Sequence, residues 1–397
     1  MARILSLFSL LACICAVQAA LHHLFASSKY RNTIATLEFD DETETLSLAK
    51  QSSTLTQHSS IAVDHSRKFV HAAFDYNSSV LIYNIGDDYS LNLNLSAGYA
   101  LQASACDPLQ QPLKVRVLSS PYPPYYVYSS VHSDSRYCSI VNWALPDGTH
   151  ADTWRSVESD SWRLDKLIIR SDNLTLYGLN IGSQAMITWR IFDGPDGMIN
   201  YNFRESYFMD RDGVNVVDMV VGPKQFVAIR EGSNEVLTIG MSEEGFAPGH
   251  NTHSVDEIEF SSRQTIVPAT NDTTPRYKTT SLEASVNRKY IWAASPALTT
   301  AEGYEAGFIT VYGVNATTGE LGTRLFQERL DSERGYSRED PTATIVAAPF
   351  ADEYVAVSSF PAGQIEIWKV EGDGAWLKYV TKWEGGAECC STIMWVD

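Results

Sequence analysis

The sequence predicts an all-β fold, a seven-bladed β-propeller closed by N- and C-terminal strands in one blade. Three observations lead there. A short phrase recurs along the chain: an apolar run, a polar turn, then a second apolar run with an aromatic near its start. Several copies are followed by a third run ending in an aromatic or aliphatic pair. The copies return at a period of roughly 45–65 residues, as expected of a radial array of strand units.

Each unit reads as a β-hairpin whose second strand is buried on both faces. In the first, Ile61-Ala62-Val63 passes through Asp64-His65-Ser66-Arg67-Lys68 to Phe69-Val70-His71-Ala72-Ala73. Later copies run from Leu167 to Tyr177, from Met219 to Ala228, from Leu282 to Ala294 and from Ile345 to Val357. Third strands follow at Val80-Leu81-Ile82-Tyr83, Ile187-Thr188-Trp189, Ile309-Thr310-Val311-Tyr312 and Ile365-Glu366-Ile367-Trp368. Anchors near positions 69, 115, 176, 226, 291 and 355 mark six units. The seventh is assembled from the two ends. Leu21-His22-His23-Leu24-Phe25 and Ile34-Ala35-Thr36-Leu37 supply two strands, and Ile393-Met394-Trp395-Val396 a third. Closing the ring in this way removes exposed sheet edges. The stretch from Gly245 to Tyr277 carries three prolines and reads as a loop, with the pattern resuming at Leu282.

A chain of 397 residues is long for one core, but a propeller packs blade on blade and escapes that limit. Residues 1–19 read as a signal peptide: Arg3, an apolar run from Ile4 to Val17, and Val17-Gln18-Ala19 at the cleavage site. Residues 20–397 then form a single propeller domain. The leader implies a secreted protein or one held in a secretory or vesicular compartment. Four cysteines remain, Cys106, Cys138, Cys389 and Cys390. An even count in a secreted chain permits disulfides. Cys106–Cys138 is the natural pair, and the adjacent Cys389 and Cys390 form a vicinal bridge or pair elsewhere. Sequons stand at Asn77, Asn94, Asn173, Asn271 and Asn315, and all but Asn94 fall in polar turns and loops.

The net charge of −18 opposes phosphate backbones and anionic lipid, so nucleic acid and membrane insertion are excluded as partners. No nucleophile elbow, phosphate loop or dinucleotide fingerprint is present. His250 and His253 sit in the Pro/Gly loop without a helix to align them, so no metal site is expected. In a propeller the inner strands line a central channel. Polar residues gather at their starts: His58, Gln102, Trp162, Asp165, Lys166, Asn215, Lys278 and Thr342, with Glu231 after a second strand. Neighbours on a strand point to opposite faces, so one of His22 and His23 faces the channel and the other the packing between blades.

Leu21-His22-His23-Leu24, Pro123-Pro124-Tyr125-Tyr126-Val127-Tyr128, Gly303-Tyr304-Glu305-Ala306-Gly307-Phe308 and the terminal Ile393-Met394-Trp395-Val396-Asp397 resemble the fungal 3-carboxy-cis,cis-muconate cyclases. These are seven-bladed propellers that lactonise a dienedioic acid without a cofactor. The resemblance places the family's histidine at Asp165 and its two arginines at Asn215 and Pro296, and keeps its glutamate at Glu231. Without the arginines there is no clamp for a tricarboxylate.

With the leader, this is similar to a secreted branch of the family, the hetero-Diels–Alderases of tropolone-sesquiterpenoid pathways. The branch implies small hydrophobic polyketide and terpenoid substrates: an o-quinone methide joined to a humulene-type alkene, with no cofactor. Asp165, Asn215, Glu231 and Lys278 are then the catalytic candidates, and His23, Tyr125 and Trp162 the substrate-binding ones. Two alternatives remain: a carboxymuconate-type lactonising enzyme, and a non-catalytic secreted glycoprotein or adhesin on the same scaffold.

Overall fold

The computed structural model describes residues 20–396, except 29, 75–78, 101–112, 124, 134–138, 156–162, 170–174, 183, 192–198, 209–215, 223–224, 231–232, 241–255, 259, 267–276, 299–305, 332–341, 361, 373 and 387–388. Residues 1–19, which the sequence reads as a signal peptide, lie outside that set, and the described residues contain strands and no helix.

Seven antiparallel sheets follow one another along the chain. The first blade contains β1 (Leu21–Ser27), β2 (Thr33–Asp40) and β3 (Thr45–Ser53). The second is β4 (Ser60–Val63), β5 (Phe69–Phe74), β6 (Ser79–Ile85) and β7 (Leu91–Ala100). The third is β8 (Leu113–Ser119), β9 (Val127–Ser133), β10 (Ser139–Ala144) and β11 (His150–Arg155). The fourth is β12 (Leu164–Ile169), β13 (Thr175–Asn180), β14 (Ala185–Ile191) and β15 (Ile199–Phe208). The fifth is β16 (Val216–Val221), β17 (Gln225–Arg230) and β18 (Glu235–Gly240). A short β19 (Asp256–Ile258) then adds in parallel to β15 of the fourth blade, and β20 (Phe260–Thr265) completes the fifth. The sixth is β21 (Ser281–Ala284), β22 (Tyr290–Ser295), β23 (Phe308–Val314) and β24 (Leu321–Arg329). The seventh is β25 (Thr342–Ala347), β26 (Tyr354–Phe360), β27 (Gln364–Glu371) and β28 (Trp376–Glu384). Finally β29 (Thr392–Trp395) returns to pair antiparallel with β1, so both ends of the chain share the first blade.

The innermost strands touch in a closed ring: β4, β8, β12, β16, β21, β25, β29 and back to β4. Because every blade repeats the same up-and-down order, all seven begin at one end of the channel, here the upper face. Second strands such as β17, β22 and β26 are buried along their whole length, as the continuous apolar runs predict. Outermost strands such as β3 and β24 are largely polar and solvent-facing. That gradient explains two departures from the sequence reading. The region from Gly245 to Tyr277, expected as a loop, carries β19 and β20. Ser262, Arg263 and Thr265 of β20 face solvent, so this outer strand has no apolar run to announce it. In the third blade the anchor near 115 falls on the inner strand β8, not on the second strand.

The polar turns are built by side chains. Asp64 Oδ1 accepts the Lys68 and Phe69 amides at 2.8 and 2.7 Å, and Oδ2 the Ser66 amide at 2.8 Å. Ser285 Oγ does the same for Lys289 and Tyr290 at 2.9 and 3.1 Å. Both turns place an arginine, Arg67 and Arg288, at φ 58°. Short polar side chains that mimic a turn's backbone bonds explain this spacing.

The core lies between blades. Seven apolar clusters occupy the seven interfaces, each drawing residues from two neighbouring blades. In the third-to-fourth interface, Gly178 leaves room for the Trp189 ring, which a Cβ would meet at 2.8 Å. In the closing interface Trp395 packs edge-on to Phe39 and Phe350, and its indole N–H donates to Val346 O at 3.2 Å.

An inner strand has no partner strand on its channel side, and hydroxyls from the preceding blade fill that need. Ser59 Oγ donates to Val115 O at 3.4 Å, and Ser60 Oγ accepts the Val117 amide at 3.3 Å. Thr280 Oγ1 donates to Ala343 O at 3.0 Å, and Ser281 Oγ accepts the Ile345 amide at 3.4 Å. Thr344 Oγ1 donates to Ser391 O at 3.1 Å, and Thr392 Oγ1 to Ser59 O at 2.9 Å.

Closure by β29 is therefore central to stability. Trp395→Ala is expected to cost about 3–5 kcal/mol in urea unfolding, the range for deleting a buried aromatic. The half-exposed rim residue Trp376 is the control, and Trp376→Ala should cost no more than about 1 kcal/mol. Equal losses would show that closure is not what Trp395 supports.

Candidate functional site

On one side of the ring the inner strands carry charge. Arg116 stands on β8, Asp165 and Lys166 on β12, Asp218 on β16 and Glu283 on β21. These are four consecutive inner strands. Arg116 Nη2 lies 3.7 Å from Asp165 Oδ1 across the third-to-fourth junction. The Lys166 ammonium reaches across the fourth-to-fifth junction and pairs with Asp218 Oδ1. Asp218 is 5% exposed and fully engaged. Its Oδ1 also accepts the Met219 amide at 2.7 Å, and Oδ2 accepts the Leu282 amide of β21 at 2.7 Å. One carboxylate thus ties three inner strands together.

The electrostatics follow from the crowding. Burial alone would lower the Lys166 ammonium, but Asp218, Glu283 and Asp165 outweigh it and hold it above its ordinary range. Burial pushes the Glu283 carboxyl up to about 7; the Asp218 charge adds to this, while Lys166 and the Ala284 amide oppose it. The Lys166 side chain keeps 30% of its surface exposed, so water enters this throat and screens the charges. The bridging charges pair off, Arg116 with Asp165 and Lys166 with Asp218, and Lys114 adds a further cation on β8. What remains is one carboxyl that takes up and releases a proton near neutrality. Such a group serves as a hydrogen-bond donor, a general acid or a general base.

The structure brings some predicted residues together and separates others. Asp165 belongs to the charged arc. Lys278 stands on the upper face just before β21, where its amide donates to Pro296 O at 3.1 Å. Asn215, Glu231 and Trp162 lie outside the described residues.

His23 does not line the channel. His22 stacks on Phe350 of the seventh blade at 3.4 Å, and His23 on Tyr89 of the second at 3.5 Å. Each imidazole also faces a carboxylate of its own blade, Asp41 at 3.7 Å and Glu38 at 3.6 Å. The strand alternation holds, but both sides of β1 face neighbouring blades, because β29 stands between β1 and the axis. Tyr125 sits in the turn between β8 and β9 at φ 61° and stacks on His65 at 4.0 Å. That turn is at the lower face, away from Lys278.

Arg116, Asp218 and Glu283 were not singled out from the sequence. The available signal was a lone charge inside an apolar inner strand, clearest in Val216-Val217-Asp218-Met219-Val220-Val221. Cys389 and Cys390 form a vicinal disulfide ahead of β29 and pack into the closing core. Cys106 and Cys138 lie outside the described residues, as do the sequons Asn77, Asn173 and Asn271. Asn94 lies on the outer strand β7, and Asn315 Oδ1 caps a turn by accepting the Thr317 and Thr318 amides at 2.9 and 3.0 Å. Among the described residues, no group of His, Cys, Asp and Glu is arranged to hold a metal, and no helix is long and apolar enough to cross a membrane.

No protein-family profile and no curated protein sequence matches the chain. Solved structures do. The periplasmic gluconolactonase PpgL of Pseudomonas aeruginosa is similar at TM-score 0.66 and 11% identity, over 95% of this chain and 99% of that one. A candidate 6-phosphogluconolactonase from Bacteroides uniformis gives TM-score 0.68 and 14% identity, over 95% and 100%. A Lactobacillus plantarum protein gives TM-score 0.69 and 13% identity, over 95% and 100%. At these identities the likeness is one of fold, and it spans nearly the whole chain.

The Glu283 shift carries a stability consequence. Folding favours the neutral acid, so its contribution is full below the ordinary value of 4.5 and is lost as pH rises through about 7. Glu283→Gln should therefore flatten part of the fall in stability across that window. The expected relief above it is roughly 1–2 kcal/mol, less than the full shift implies because the throat admits water. Parallel wild-type and variant curves would contradict the assignment.

Proposed function

We propose that this chain is a lactonase-like propeller enzyme that forms or opens an oxygen-containing ring at the axial throat without a cofactor. The observation that carries the reading is Glu283, a carboxyl poised near neutrality beside the fixed Lys166–Asp218 pair. A protonated carboxyl donates a hydrogen bond to an oxygen that gains charge in the transition state, and the neighbouring ammonium steadies that charge. The same group, deprotonated, would receive a proton in ring closure by a hydroxyl. The named gluconolactonase activity of the similar Pseudomonas propeller supports the class.

Within that class the finer reading is an intermolecular hetero-Diels–Alderase joining a tropolone o-quinone methide to a humulene-type alkene. Its support is the pairing of Arg116 and Lys166 with carboxylates, together with the family resemblance. Arg116 and Lys166 are each already answered by a carboxylate, so neither is left over to clamp a tricarboxylate such as carboxymuconate. Neutral partners suit it better. In the cycloaddition the alkene supplies two electrons and the quinone methide four. One C–C and one C–O bond form together, and no atom leaves. Holding the partners face to face supplies the entropic part of the acceleration, and the Glu283 hydrogen bond to the carbonyl oxygen supplies the electrostatic part.

The test offers the protein a quinone methide precursor with a humulene-type alkene, and in parallel carboxymuconate and an aldonolactone. Expected is adduct above the background rate and in enantiomeric excess. The rate should fall as pH rises through about 7, where Glu283 loses its proton. Glu283→Leu, which removes the donor, should slow the reaction on the order of 10–1000-fold, whereas Glu283→Gln keeps an N–H donor and should chiefly remove the pH dependence. Turnover of carboxymuconate or the aldonolactone instead would favour the lactonising reading. Racemic adduct at the background rate, with neither acid nor lactone turned over, would leave the non-catalytic secreted glycoprotein in front.

A further inference from the structure

A second polar site lies away from the axis, between the outer parts of the sixth and seventh blades. A cavity of about 530 Å³ opens there, lined by Ala306, Arg329, Leu330, Asp331, Trp368 and Tyr379. That volume falls within the usual span of small-molecule sites, about 300–1,000 Å³. Its walls combine two aromatic rings with donors and acceptors.

Trp368 on β27 and Tyr379 on β28 are register partners and meet edge to face, with centroids 5.4 Å apart and planes at 77°. Trp368 is 4% exposed and forms the fixed wall, whereas Tyr379 is 38% exposed and offers an open surface. The Trp368 ring cannot turn freely, because its indole N–H donates to Glu366 Oε2 at 2.9 Å. Glu366 is wholly buried, and its Oε1 has no hydrogen-bond partner. Burial pushes that carboxyl up to about 7, against the Asp331 backbone N–H and the indole, which favour the charged form.

The charges around the opening cancel. Lys382 bridges Asp331 at 2.8 Å and Glu384 at 3.1 Å, and Arg329 lies over the Phe308 ring at 6.0 Å. At the opening, Arg329 and Lys382 thus face Asp331 and Glu384, with the carboxyl of Glu366 buried behind Trp368, so the cleft has no excess of cations with which to select an anion. The Asp331–Lys382 pair is solvent-exposed on both sides, and such pairs exchange partners at little cost. A fitting ligand is uncharged, presents one apolar face to Tyr379 and Trp368, and carries groups that both donate and accept toward Asp331 and Arg329. Hydroxyls do both. A pyranose ring has C–H bonds on one face and hydroxyls at its edge. We infer that the cleft between the sixth and seventh blades is a binding site for a neutral carbohydrate, with Tyr379 as the stacking platform and Asp331 and Arg329 as hydroxyl partners.

The experiment titrates the full chain with maltose, cellobiose and N,N′-diacetylchitobiose, with gluconate as the charged control, and reads intrinsic tryptophan fluorescence. Expected is saturable binding of at least one neutral disaccharide with millimolar or tighter affinity. Tyr379→Ala should weaken it about tenfold or more, with an unchanged thermal midpoint. Asp331→Asn and Arg329→Gln, both at the cleft mouth, give independent variants should Tyr379→Ala disturb folding, and each should weaken binding several-fold. Three results would overturn the inference: no saturation by any of the three disaccharides up to the order of 50 mM, binding of gluconate alone, or disaccharide binding unmoved in every folded variant.

Discussion

Each inner strand of the ring has one edge paired within its blade and one edge turned toward the channel. The backbone groups on that free edge must find partners, and seven blades must stay in register while they do. The chain solves both problems with side chains that reach from one inner strand to the next. At the second-to-third, sixth-to-seventh, seventh-to-first and first-to-second junctions the reaching groups are hydroxyls, from Ser59, Ser60, Thr280, Ser281, Thr344 and Thr392. At the fifth-to-sixth junction Asp218 takes that part through the Leu282 amide. At the remaining two junctions ion pairs reach across, Arg116 to Asp165 and Lys166 to Asp218. The charged arc is thus a local substitution in a belt that holds the whole ring together.

This origin explains why the throat is charged yet largely paired. Arg116 and Lys166 each bridge a junction, so each arrives with its carboxylate. Glu283 is the exception, since it stands beside the bridge without being one of its two partners. Burial and the Asp218 charge favour its neutral form, and Lys166 keeps it within reach of ionisation. A structural device therefore leaves behind a proton-exchanging group, and the proposed chemistry rests on that group.

The fold was legible because the second strands are apolar on both faces and recur at a steady spacing. Phe69, Leu176, Phe226, Ile291 and Val355 each sit on the second strand of a blade. Closure was legible from the strand-like ends, and Ile393 and Trp395 now pair with Ala26 and Leu24. β20 was hidden because an outer strand that faces water needs no apolar pattern. The site was less legible. Polarity at the starts of inner strands marks Asp165 and Lys166, but the other charges sit further along, at Arg116, Asp218 and Glu283. His23 misled because alternation along β1 says that His22 and His23 diverge, but not that β29 takes the place next to the axis. Tyr125 misled because an aromatic in a proline-rich turn gives no sign of which face that turn occupies.

Carboxyl titration by NMR on protein labelled at glutamate side chains tests the central claim most directly. The account predicts a glutamate resonance with a midpoint near 7 that is absent from Glu283→Gln. It also predicts that this midpoint rises when Lys166→Met removes the neighbouring ammonium. If the signal lost in Glu283→Gln instead titrates like an ordinary exposed glutamate, at 4.5, the throat holds no proton near neutrality and the proposed chemistry falls.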